Sequence, residues 1–178
     1  MMLSAFAYFL KEKCSMYEEI EIMQLIAEKY SEEIRIFFEP SKSISEINTF
    51  EQTSGISLPD ELREFYQLAG GFDCITAYMN LWSLETVAEH FAEGYNDWFE
   101  EGDGGNYVVL GSDGAGSYLL MRLADSHFLR YGDEGEVMEI PSLKDLLCWN
   151  IAEFYEIIQE SGEDERVADY LERNADRL

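Results

Sequence analysis

The residue types that could carry chemistry are few here, and their spacing suits none of the usual sites. His90 and His127 lie in different segments with no cysteine or carboxylate at metal-ligand spacing, so no metal site is expected. Cys14, Cys74 and Cys148 are far apart, odd in number and without a C-x-x-C pair, which suits a reducing cytoplasm. The run G-S-D-G-A-G at 111–116 has its glycines in the wrong order for a dinucleotide fingerprint and sits between two apolar runs; it reads as a hairpin turn. Neither a G-x-S-x-G elbow nor a P-loop occurs. The acidic loop E-E-G-D-G-G-N at 100–106 lacks the alternating oxygens and terminal glutamate of a calcium loop. Paired carboxylates could do acid–base work, but 37 acidic residues guarantee chance neighbours and make any one pair uninformative. No enzyme activity and no cofactor are expected.

The quantity that stands out is charge. Twelve basic against 37 acidic side chains leave a net charge of −25 on 178 residues, which argues against nucleic acid or an anionic membrane as a direct partner and favours a basic protein. Between Phe72 and Ser142 only Arg122 and Arg130 are basic, and acids gather at Asp97–Asp103 and Asp133–Glu139. These are loops and strand ends, where binding residues are commonly displayed.

Hydrophobic periodicity supplies the elements that would position such a surface. Tyr17 to Phe38 carries Ile20, Met23, Ala27, Tyr30, Ile34, Phe37 and Phe38 on one face, predicting a long amphipathic helix before Pro40. Met16 directly precedes it, while residues 1–15 show no sustained periodicity, so a chain beginning at Met16 is expected to fold like the whole. The apolar run at 1–10 is too short to span a membrane and lacks a basic lead-in, so neither an anchor nor a secretory signal is expected. Ser43 and Glu46 have capping-box spacing, Gly55 stands where a helix ends left-handed, and Pro59-Asp60-Glu61 opens a second helix carrying Leu62, Phe65, Tyr66 and Ala69. Gly70 and Gly71 stop it.

Cys74–Trp82 alternates and predicts a strand. Ser83 caps a helix continuing to Phe99, with Glu85, Glu89, Glu93 and Asp97 along one side. Residues 106–140 read as a four-strand meander, Ser142 with Asp145 opens a helix lined by Leu146, Ile151, Phe154 and Ile158, and Val167, Tyr170 and Leu171 mark a last helix with Asp164 and Glu165 on a solvated side.

Partly segregated helices and strands predict an α+β fold. The sheet is expected to be central, largely antiparallel and five- to six-stranded, with helices around it. The expected boundaries are an N-terminal helical extension at 1–42, an α+β domain at 43–160 and a C-terminal helix at 161–178 packed on the same domain.

The phrase G-I-S-L-P-D-E-L-R-E-F-Y-Q-L-A-G-G, the following L-W-S-L-E-T-V and the later L-G-S-D-G-A-G-S-Y-L-L-M resemble the signature of the SUKH superfamily, the Smi/Knr family, over about residues 43–155. The resemblance implies an α+β fold with structural roles for Gly55, Leu58, Pro59, Phe65, Gly71, Trp82, Gly111 and Gly116. It also implies a bacterial immunity protein, the antitoxin half of a toxin and immunity pair. The fungal branch concerns cell-wall regulation, so a non-enzymatic scaffold or regulator is the competing expectation, and a carboxylate-dependent hydrolase a third. Joined to the charge, the first reading places partner contacts at Asp97, Glu100, Glu101, Asp103, Asp113, Asp133, Glu134 and Glu136. The expected partner is a cognate protein toxin with a basic C-terminal nuclease domain, bound stoichiometrically by a cytoplasmic monomer or weak homodimer.

Overall fold

The computed structural model describes residues 16–94, 107–162 and 164–178. Its organising unit is a helix pair, α2 (Ile44–Ser54) and α3 (Asp60–Leu68). Ser43 Oγ accepts from Glu46 N–H at 3.3 Å while the Glu46 carboxylate accepts from Ser43 N–H at 2.8 Å, the reciprocal capping box. Gly55 closes α2 at φ 75°, where any side chain would be strained. Between the helices Glu51 is a staple: it accepts from Leu58 N–H at 2.9 Å and pairs with Arg63. Pro59 is the N-cap of α3, and Leu58 beneath it is buried.

The expected long first helix is shorter. α1 (Tyr17–Lys29) ends at Tyr30, whose carbonyl accepts from Glu33 N–H and Ile34 N–H in a tight turn, and the chain then enters the short strand β1 (Phe37–Phe38). Ile34 is buried, but from the turn rather than from a helix, and Phe37 is exposed. What stops the helix is tertiary. Lys29 Nζ and the Tyr30 hydroxyl both reach Asp164, at 2.6 and 3.0 Å, which fixes the chain direction there.

The paired glycines do more than stop a helix. Gly70 N–H donates to Glu39 O and Glu39 N–H to Gly71 O, extending the antiparallel pair of β1 with β2 (Phe72–Asp73). A Cβ on Gly70 would stand 1.9 Å from Pro40 O, and one on Gly71 (φ 140°) 2.9 Å from Leu81 O. Glycine is required because backbone passes on both sides.

The strand expected at Cys74–Trp82 is instead a looped connection. Side-chain amides have taken over its backbone partners: Asn80 Oδ1 accepts from Cys74 N–H at 2.8 Å, and the Asn150 amide binds both Met79 N–H and Met79 O at 3.1 Å. Only its end is extended. Leu81 bridges to Phe72, while Asn80 and Trp82 donate their N–H groups to Ser112 O and Leu110 O. The backbone comes so close that a Cβ on Gly111 would lie 1.8 Å from Asn80 O, and the ladder bulges between Val109 and Gly111.

Ser83 then caps α4 (Leu84–Ala92), which ends sooner than expected, with Gly94 at φ 77°. The expected continuation to Phe99 lies outside the described residues beyond Gly94. Strands β3 (Tyr107–Ser112), β4 (Tyr118–Arg122), β5 (Phe128–Tyr131) and β6 (Val137–Ile140) form the antiparallel meander in sequence order. The fold is therefore α+β, with sheets of four and two strands joined by the 80–82 connection in place of one sheet of five or six.

Helix α5 (Leu143–Ile158) lies behind the sheet with Leu143, Leu146, Leu147, Ile151, Phe154 and Ile158 fully buried. One apolar core runs from Met16 to Tyr170, so α1 and the last helix, α6 (Glu165–Arg173), share it with the meander. At their junction Glu19 is completely buried, accepting from the Tyr170 hydroxyl at 2.9 Å and pairing with Lys144 at 3.3 Å. Burial and the neighbouring Glu19 push the Tyr170 hydroxyl pKa up.

Asp164 is no solvated helix residue: at 4% exposure it caps α6 by accepting from Arg166 and Val167 N–H. Burial works to raise its pKa, but hydrogen bonds from Lys29, Val167 and Tyr30 outweigh it and hold the carboxyl below the usual aspartate range. A group depressed on folding stabilises above its unfolded pKa of roughly 4, and that contribution disappears as pH falls through the folded value. Thermal melts across pH 2–6 should therefore show a steep acid limb (below about pH 4), which Asp164→Asn flattens while keeping the cap. Parallel acid limbs for the two proteins would refute this role.

Candidate partner-binding surface

Two of the three hairpin turns of the meander, those of β3–β4 and β5–β6, meet at one corner. In the first, Asp113 Oδ1 accepts from Ala115 N–H and Ser117 N–H at 2.8 and 2.9 Å, a local turn that needs a short acceptor side chain. In the β5–β6 turn, Gly132 N–H donates to Glu136 O, Gly135 sits at φ 86°, and the Glu136 side chain folds back over Gly132. Gly116, at φ 115°, brings the turns into contact: its Cβ would stand 3.0 Å from Asp133 Cβ.

Arg130 organises this corner. Its guanidinium donates to Ser117 Oγ at 2.8 Å, lies 3.5 Å from Asp113 and 3.8 Å from Glu136, and covers the Tyr78 ring at 5.5 Å. Burial works to raise the Asp113 pKa, but hydrogen bonds from Ser117 and Ala115, with Arg130, prevail and keep it ionised below the ordinary range. Tyr78 is pushed the other way, by burial first and by Glu153 and Asp113, against Arg130.

From Tyr78 the surface continues as a groove. The Tyr78 ring meets Trp149 edge-on at 5.5 Å, and Met138, Ala152, Glu153, Glu156 and Leu178 complete a recess of about 450 Å³. Trp149 is held from below by its indole N–H to Arg177 O at 2.6 Å, and Arg177 pairs with Asp145 at 2.7 Å. An apolar floor with carboxylates at the rim suits a protein contact.

Of the expected contact residues, Asp113, Asp133, Glu134 and Glu136 are brought to this corner. Asp133, Glu134 and Glu136 are exposed, whereas the Asp113 carboxylate is engaged by its own turn. Asp97, Glu100, Glu101 and Asp103 lie outside the described residues. Arg130, Tyr78, Met138, Trp149, Glu153 and Glu156 were not singled out from sequence. Trp149, Ala152, Glu153 and Glu156 do sit off the core stripe of α5, which is a readable signal, but nothing in the sequence says that Tyr78 would meet them.

The residues implied to be structural are placed accordingly. Phe65 is fully buried; Trp82 is half-buried and touches both apolar clusters, with His90 stacked on it at 4.5 Å. His127 is exposed beside Asp125 and Arg122. Among the described residues no group of three His, Cys, Asp or Glu could hold a metal ion, and no helix is long and apolar enough to cross a membrane.

Among the curated proteins compared, none matches this chain. The family model described as SMI1 / KNR4 family (SUKH-1) matches residues 43–172, from the capping box of α2 through nearly all of α6, and the chain belongs to that family.

Proposed function

We propose that this protein is an immunity protein that binds and neutralises a cognate secreted or contact-delivered toxin. Family membership is consistent with that role, since such proteins are generally immunity or regulatory proteins rather than enzymes. The observation that carries the mechanism is the corner of exposed Asp133, Glu134 and Glu136, with Arg130 beside Glu136, on a chain of charge −25. A nuclease domain must present basic groups to phosphate, and this corner offers them carboxylates instead. Inhibition is stoichiometric occlusion, in the cytoplasm, by a monomer or weak homodimer.

Electrostatic steering raises association rates steeply at low salt and acts through charge rather than shape. Asp133→Asn, Glu134→Gln and Glu136→Gln together should slow association with the cognate toxin domain, to be sought in the adjacent genes, by about tenfold at low salt. The same charge removal at the exposed Glu28, Glu32 and Glu165 should do much less. Surface-binding kinetics at several salt concentrations read both. Association indifferent to salt, or equal losses from the two sets, would sink the occlusion mechanism; absence of any binding would favour the scaffold reading.

A further inference from the structure

Among the described residues strand β6 has a strand neighbour on one side only, since the sheet order is β3-β4-β5-β6. Gly132 N–H donates to Glu136 O, and the register pairs Arg130 with Met138 and Phe128 with Ile140. Hydrogen-bonded and non-bonded pairs alternate along an antiparallel ladder, so these are the bonded pairs. Val137 and Glu139 therefore turn their N–H and C=O groups away from β5, toward the open edge.

Such an edge is ordinarily blunted by lysine, proline or cover. Here it reads Val-Met-Glu, with Val137 59% and Met138 38% exposed. Met138 also forms part of the groove floored by Tyr78 and Trp149, and Glu153 and Glu156 stand across it. The edge thus offers backbone pairing, an apolar recess and a carboxylate rim together.

A second copy is a poor occupant. Two β6 edges side by side would bring Glu134, Glu136 and Glu139 of each against the other, and facing like charges destabilise a strand pair. A chain carrying lysine and arginine meets the same carboxylates favourably.

We propose that β6 takes up an extended basic segment of the protein partner as an added strand. Its main chain pairs with Val137 and Glu139, one apolar side chain enters the Tyr78–Met138–Trp149 groove, and its cations, which alternate to the opposite face, lie over Glu139. The proposal rests on the immunity reading only in taking the partner to be a basic protein.

Two probes test it separately from that reading. The first is a capped ten-residue peptide of alternating Lys and Val, with a twin N-methylated at alternate residues and a twin carrying Glu for Lys. Amide spectra of the full chain should show the Lys peptide shifting Val137 and Glu139 with a Kd below about 1 mM at low salt. The N-methylated and Glu twins should bind at least about tenfold more weakly. Val137→Pro removes an outward N–H and no ladder bond, as edge strands tolerate; it should stay folded by circular dichroism and lose a similar factor. Silence of the β6 amides at 1 mM peptide, or unchanged affinity of the N-methylated twin, overturns strand addition.

The second probe is the cognate toxin domain sought in the adjacent genes. Unchanged toxin binding by Val137→Pro would overturn the proposal and leave the immunity reading standing. Peptide binding without toxin binding would do the reverse.

Discussion

Phe65→Ala should lower the free energy of unfolding by about 3–5 kcal/mol, the sum of lost transfer energy and the cavity left behind. Phe65 is fully buried on α3, edge-on to Tyr66 at 5.4 Å and to Phe72 at 6.4 Å. It thus joins the helix pair to the strand that follows the glycines, and neither neighbour can collapse into the space. Tyr66 is held by its hydroxyl to Trp82 O at 3.0 Å, and Phe72 by its bridge to Leu81. Urea unfolding followed by circular dichroism reads the change as a lower midpoint at similar slope. A variant that kept its midpoint but lost toxin binding would turn α3 from a core helix into an interface.

Asn150→Leu is expected to cost about 2–6 kcal/mol, although it conserves volume, because it leaves Met79 N–H and Met79 O buried without partners at about 1–3 kcal/mol each. Asn150 is completely buried, and its amide makes both of those bonds and a third to Leu146 O at 3.1 Å. The position also bears on the candidate site. Tyr78 precedes Met79, Trp149 precedes Asn150, and the two rings meet at 5.5 Å. Cutting the amide bonds should loosen that contact, so urea unfolding and acrylamide quenching of tryptophan should change together. A stability within about 1 kcal/mol of wild type would show that the 74–82 connection holds its shape without Asn150.

The reading of α1 and of Cys74–Trp82 failed for the same reason. Both segments carry apolar residues at the right period, but period describes which side chains are buried and not which backbone partners the chain finds. In α1 the end is set by Asp164, 135 residues away from Lys29. In the 74–82 connection it is set by the amides of Asn80 and Asn150. The same limit hid the groove: Trp149 was readable as a non-core position, yet its meeting with Met138 and Tyr78 depends on segments arriving from elsewhere in the chain.

What the sequence determined by itself is local or global in the simplest sense. The capping box at Ser43, the N-cap at Ser142, the left-handed Gly55, the meander from β3 to β6 and the core stripe of α5 all rest on spacings of a few residues, and the structure contains each of them. The charge of −25 is a plain sum, and the signature phrases carried the family. Tertiary structure decided that the turns carrying Asp113 and Asp133 meet, that Asp164 is a buried cap bonded to Lys29 and Tyr30, and that β6 is an open edge among the described residues. Each of these depends on contacts between residues distant in the chain, whose closure is favoured only by the whole packed core and leaves no periodic trace in the sequence.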